Sequence, residues 1–179
     1  MGRLVTISYE DQVRAHNYAL EVVKQKRKYF NCSYENYFIG ALGELAYGKI
    51  TNQQVNFDVY TGAKGDGGID FPDGTDVKTS TWQGDGVQLK VSRQSEKCKQ
   101  YALCRIVDEA RAYGGPTKFE LTKQIPVQVF GTISRKDFNK KKLRSHYDYD
   151  YVYADVLTGF DETFDANYPV VTSQSKTCS

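Results

Sequence analysis

The spacing of apolar and polar positions divides the chain into a helical first part and a strand-rich remainder. Val13, Ala15, Tyr18, Ala19 and Val22 recur at broadly helical intervals. Ser8 and Asp11 precede them in capping-box spacing, so the pattern predicts a helix starting after Ser8 and ending near the basic run before Phe30. A second helix is expected after Ser33, running to about Gly48. Phe38, Leu42 and Leu45 form its apolar stripe. Tyr37, Gly40, Ala41, Glu44 and Gly48 form a neighbouring stripe of mostly small residues, which would let the helix lie close to a sheet with Glu44 at the contact. From Val55 the period shortens. Strands are expected at Val55–Thr61, Gly67–Phe71, Thr75–Thr81, Val87–Val91, Gln100–Val107, Pro126–Ile133 and Tyr151–Val156. A short helix is expected after Ser134, with Asp137 as a second capping box. Helices first, then a hairpin, then strands mixed with helix, predict an α/β (α+β) fold with a central mixed sheet flanked by helices.

At 179 residues the chain suits one domain, with residues 1–179 read as a single unit. Its 14 Tyr and 9 Phe argue against disorder. Met1 to Glu10 lacks the apolar core of a secretory signal, and no stretch approaches the roughly 18 apolar residues of a membrane span. The expectation is a cytoplasmic protein with no membrane partner and no organic cofactor. The four cysteines, Cys32, Cys98, Cys104 and Cys178, form no C-x-x-C pair and are expected to be reduced and structural.

Net charge is only +2, but it is unevenly placed. Ser134 to His146 carries six Lys/Arg against one Asp; Tyr147 to Asp165 carries five Asp and one Glu with no Lys/Arg. A further basic cluster stands at Lys24, Lys26, Arg27 and Lys28. Such patches suit a polyanionic partner.

The segment richest in chemistry is Gly65-Asp66-Gly67-Gly68-Ile69-Asp70-Phe71-Pro72-Asp73-Gly74-Thr75-Asp76-Val77-Lys78-Thr79-Ser80. Pro72-Asp73-Gly74 reads as a three-residue hairpin loop, which sets Asp70 opposite Asp76. The two-residue period of strands then sends Ile69, Phe71 and Val77 to one face and Asp70, Asp76 and Lys78 to the other. Two carboxylates facing across a hairpin, roughly 5 Å apart at Cβ, repel unless a cation lies between them. Mg²⁺ takes few carboxylates and keeps several waters, so two aspartates suffice to hold it. Such an ion activates water against a phosphate, and a lysine beside it orients that water or offsets the developing charge. Glu44 would complete the metal shell or position a water from the helix side.

These residues resemble the PD-(D/E)XK phosphodiesterase superfamily of restriction enzymes, phage exonucleases and junction resolvases. The matching pieces are Glu44 within Gly40-Ala41-Leu42-Gly43-Glu44-Leu45-Ala46, the Asp70 strand, and Asp76-Val77-Lys78. The resemblance implies a restriction-endonuclease-like core and a metal-dependent DNA endonuclease. Asp70, Asp76 and Glu44 would bind Mg²⁺, with Mn²⁺ as a substitute, and Lys78 would assist the attacking water. Small nucleases of this kind often act as dimers, so a homodimer is a further expectation. The compact size resembles that of phage or mobile-element enzymes. The sequence departs from the family name at one place: Asp70 follows Ile69, while the literal Pro-Asp is Pro72-Asp73. Both assignments are compatible with the sequence; Asp70 is preferred because Asp73 falls in the turn.

Lys90, Arg93, Lys136, Lys140, Lys141, Lys142 and Arg144 are the candidate phosphate contacts, which would position DNA without reading its sequence. Trp82 is expected to cover the sheet edge. Tyr147, Tyr149, Tyr151 and Tyr153 read as an aromatic-faced strand rather than a base-stacking platform. Two rival functions remain on sequence alone: a DNA-binding module of the same fold without catalysis, and a protein-interaction factor using the acidic Tyr147–Asp165 segment.

Overall fold

The computed structural model describes residues 2–26, 33–57, 69–92, 98–107 and 124–160. Strand β1, Arg3–Ser8, opens the chain, with Val5 and Ile7 buried on one side. It leads directly into α1, Tyr9–Lys26. The Ser8 hydroxyl accepts the Asp11 N–H at 3.2 Å, which fixes the expected start of this helix. Ala15, Ala19 and Val22 form its buried stripe.

Helix α2 spans Tyr34–Thr51, three residues beyond the expected end. Gly48 does not stop it. The left-handed residue is Asn52, with φ of 52°, and its N–H returns to the Gly48 carbonyl. Gly48 stays inside the helix because the chain after the cap crosses over it; a Cβ there would meet the Gln53 carbonyl at 2.7 Å.

The remaining described elements are β2, Thr75–Ser80; β3, Gln88–Ser92; β4, Gln100–Ile106; β5, Gln124–Ser134; α3, Arg135–Lys141; β6, Leu143–Arg144; and β7, Tyr149–Tyr153, followed by one 3₁₀ turn at Ala154–Val156. Ser134 caps α3 as expected, accepting the Asp137 N–H at 3.0 Å. Of the expected strands, Val55–Thr61 shows no strand over its described residues 55–57, and residues 58–61 lie outside the described part. Residues 69–71 of the expected Gly67–Phe71 strand form no strand and lead into the turn at 72–73, and 67–68 lie outside the described part.

The strands form two sheets rather than one. The first is mixed and four-stranded, in the order β1-β5-β4-β2, with β2 parallel to β4 and the other pairs antiparallel. The second is antiparallel and three-stranded, β3-β7-β6. Helices α1 and α2 cover one face of the mixed sheet, burying Phe38, Leu42 and Leu45 against Val77, Ala102, Cys104 and Val127. The other face is covered by the small sheet and α3, with Leu89, Val152 and Phe138 packed against Tyr101, Leu103 and Ile133. The fold is therefore α+β with a mixed central sheet, but helices flank it mainly on one side. Among the described residues no helix is long and apolar enough to cross a membrane.

The close contact of α2 with the sheet runs through Gly43, not Gly40. A Cβ on Gly43 would press into the Thr79 side chain on β2, whereas one on Gly40 would meet nothing within 4 Å. The Gly43 carbonyl also accepts from the Cys104 thiol. Gly43→Ala is expected to destabilise the fold by about 1–2 kcal/mol, since overpacking outweighs the helix-propensity gain. Adding Thr79→Ala should recover most of that loss. Urea denaturation of the two single variants and the double measures the coupling, and additive losses would rule out this contact.

Candidate active site

The tight turn Phe71-Pro72-Asp73-Gly74 forms at the start of β2, where the Gly74 N–H donates to the Phe71 carbonyl at 2.9 Å. Proline suits its second position, and Gly74 takes the positive φ, at 90°, that the exit requires. The Asp70 N–H donates to the Thr75 carbonyl at 2.9 Å. Beyond this point a backbone ladder would continue, but the Asp70 carboxylate takes the place of a carbonyl and accepts the Val77 N–H at 2.7 Å. This explains why residues 69–71 form no strand. Asp70 thus lies across from Thr75 by its backbone and reaches toward Val77 by its side chain, one step from the expected facing of Asp70 and Asp76.

Asp73 is held by the turn itself. It accepts the Thr75 N–H at 2.9 Å and the Gln53 side-chain amide at 3.0 Å. Burial pushes its carboxyl up, but hydrogen bonds from Thr75 and Gln53 and the Lys99 charge outweigh that and hold it below its ordinary value.

Asp76 is almost wholly buried, at 1% exposure, on the face of β2 away from α2. Lys78 lies on the same face, and its amine meets Asp76 Oδ1 at 2.6 Å while the side chain keeps 35% of its surface in solvent. Burial alone would lower the Lys78 pKa; the charge and hydrogen bond of Asp76, then the charge of Asp70, reverse the sign and raise it above 10.5. Lys78 is therefore a cation at neutral pH, able to donate hydrogen bonds and oppose negative charge but not to accept a proton. Asp76 and Lys78 are in contact, and the Asp70 charge reaches the same amine.

Glu44 sits on α2, which packs on the Val77 and Thr79 face of the mixed sheet, and its charge is felt at Cys104, whose thiol is pushed up first by burial and then by Glu44. Among the described residues no group of three Asp, Glu, His or Cys side chains is placed to hold a metal.

Three residues that pattern reading missed surround the pair. Tyr101 stands directly across from Asp76 in the parallel β2–β4 register. It is hydrogen-bonded to Cys98, a free, buried thiol. Burial raises the Cys98 pKa, and the charges of Asp76, Lys78 and Arg135 all reach it. Arg135, first residue of α3, donates its N–H to the Lys99 carbonyl at 2.9 Å. The parallel pairing that gathers these residues has no signal in local sequence.

The chain matches no family model, no curated protein and no solved structure.

Of the expected phosphate contacts, Lys90, Lys136, Lys140, Lys141 and Arg144 are exposed. Arg93 lies outside the described residues. Lys142 differs: its amine pairs with the buried Asp150 carboxylate at 2.8 Å, so it neutralises an internal charge. Trp82, just after β2, keeps 61% of its surface exposed.

The shifted groups set a pH window. Asp73 and Asp11 lie below 3.8. For Asp11, the Lys49, Arg14 and Ser8 contacts overcome burial. Their stabilisation is present above that value and lost as pH falls through the folded pKa. Lys78 is raised, so its contribution holds below 10.5 and is lost as pH climbs past it. Denaturation midpoints measured across pH should be level from about 5 to 9 and fall on both sides. In Lys78→Met the alkaline fall should be smaller, and an unchanged alkaline limb would contradict the assignment.

Proposed function

We propose that this chain is a metal-dependent DNA endonuclease with a restriction-endonuclease-like core and a PD-(D/E)XK-type centre at Asp70, Asp76 and Lys78. The observation that carries the reading is the nearly fully buried Asp76 carboxylate, 2.6 Å from a lysine amine that is itself partly open to water, with a second carboxylate acting on the same amine. Buried ion pairs add little net stability over apolar residues of the same volume, so one placed on an edge strand calls for another use. Support also comes from the order of parts: a helix, Asp70 just before a tight turn, a strand carrying D-x-K, and a later strand parallel to it.

The donor set fits Mg²⁺ or Mn²⁺, since two carboxylates match an ion that takes one or two and keeps its waters. When bound, such an ion supplies Lewis-acid polarisation of the phosphoryl oxygen and a more acidic water. The chain's own residues do the rest. Asp70 and Asp76 orient the site and fix its charge. Lys78, held by Asp76, donates to the attacking water or to the phosphoryl oxygens as negative charge builds there. The exposed Lys136, Lys140, Lys141 and Arg144 attract the DNA backbone.

Incubation with supercoiled plasmid tests the reading. Nicked and linear products with Mg²⁺ and none with chelator are expected. Intact plasmid under both conditions would overturn it.

A further inference from the structure

The outer face of the small sheet carries a row of four tyrosines. On β7, Asp150 and Val152 turn inward and are buried, so Tyr149, Tyr151 and Tyr153 all turn outward, and Tyr147 continues the row before the strand. Successive rings are in contact, with centroids 5.9, 6.5 and 5.7 Å apart. Tyr147 and Tyr153 are 72% and 40% exposed. Beyond Tyr153 the loop at Gly86 abuts its ring, and the same loop carries exposed Trp82.

The charge of this face is not what the acidic sequence suggests. Asp150 points away from it and is neutralised by Lys142. The outward positions paired with the row are Ser92, Lys90 and Gln88 on β3 and Leu143 on β6, which include one cation and no carboxylate. The Lys90 amine lies 5.3 Å from the centre of the Tyr149 ring. Lys140 and Lys141 on α3 and Arg144 on β6 are exposed, as are Asp148, between Tyr147 and Tyr149, and Asp85 and Asp155 near Tyr153. Consecutive rings on a sheet, with a lysine amine over one of them, match a polyanion bearing flat apolar faces at regular intervals.

We propose that the Tyr147–Tyr149–Tyr151–Tyr153 row is a binding platform for single-stranded nucleic acid, its rings stacking on successive bases and Lys90 with the α3–β6 cations following the phosphates. Duplex DNA hides its base faces within the stack, so the platform favours unpaired strands. The surface lies one layer outside the Asp76–Lys78 pair and does not depend on the nuclease reading. It would let the protein hold a frayed or displaced strand.

The test is fluorescence anisotropy of a labelled oligothymidylate of roughly 20 nucleotides, long enough for one site, in buffer with chelator. Because no cleavage occurs there, failure of the platform and failure of the nuclease are separate results. The full-length chain should bind the oligomer and bind the matching duplex more weakly. Tyr149→Leu with Tyr151→Leu should weaken binding by about 5- to 150-fold for each ring that carries a base. Tyr149→Phe with Tyr151→Phe should stay within about twofold, because stacking needs the ring and not the hydroxyl. Both positions face solvent, and circular dichroism confirms that each variant is folded. Absence of binding by the unaltered chain, equal affinity for duplex, or full affinity in the folded leucine variant would each overturn the proposal.

Discussion

Lys78→Ala is expected to abolish metal-dependent cleavage and to weaken the fold together. The substitution leaves Asp76, at 1% exposure, without the amine that stands 2.6 Å away. Breaking a fully buried pair costs about 3–5 kcal/mol; because the Lys78 side chain reaches solvent, about 2–3 kcal/mol is expected here. The loss should shrink in acid, where protonation of the carboxylate removes the buried charge. Cleavage per folded molecule should fall on the order of 10²- to 10³-fold, the scale of losing one preorganised charge at a developing oxyanion. Lys78→Met separates the two effects. It keeps the aliphatic stem and should regain part of the stability while remaining inactive. Wild-type cleavage by folded Lys78→Met would remove lysine from the mechanism.

The second large effect is a contrast between two neighbouring aspartates. Asp70→Asn retains an oxygen able to accept the Val77 N–H, so stability should change by less than about 1 kcal/mol. It removes the negative charge, so cleavage should fall on the order of 10²-fold or more. Asp73→Ala should do the opposite. It deletes the acceptor for Thr75 N–H and for the Gln53 amide, costing about 1–2 kcal/mol, while leaving cleavage per folded molecule within a few-fold of normal. Plasmid nicking normalised to the folded fraction reads both. Loss of activity in Asp73→Ala with activity kept in Asp70→Asn would show that the literal Pro-Asp is the functional one.

The parts of the fold that sequence reveals are those decided within a few residues. Both capping serines, Ser8 and Ser134, act through the N–H three positions on, so their spacing alone locates α1 and α3. The turn at Pro72-Asp73-Gly74 is equally local, although the register it sets pairs Asp70 with Thr75 rather than Asp76. What escaped sequence reading depends on distant partners. Strand β1 buries only Val5 and Ile7 and has meaning only beside β5. The division into two sheets follows from pairings that alternation cannot specify. Gly40 and Gly43 look alike in the helical pattern, and only the position of Thr79 makes Gly43 the point of contact. The same limit applies at the site. Helix α2, which carries Glu44, lies on the Val77 face of β2, a placement that no local pattern gives. Tyr101 reaches the pair through β4, and the Arg135 charge reaches Tyr101 and Cys98 from the end of β5, across long stretches of chain. Side-chain direction within the acidic Tyr147–Asp165 segment is equally hidden in sequence: Asp150 turns inward to Lys142 while the tyrosines of β7 turn outward.

In the proposed site, Asp70 and Asp76 together hold one divalent cation beside Lys78. Electron paramagnetic resonance of added Mn²⁺ measures this without DNA. Titration of the full chain should remove about one equivalent of free Mn²⁺ signal, and Asp70→Asn and Asp76→Asn should each abolish that uptake, because two carboxylates are the minimum the site offers. Free signal that rises in step with added Mn²⁺ up to millimolar concentrations, or uptake unchanged in both variants, would contradict it.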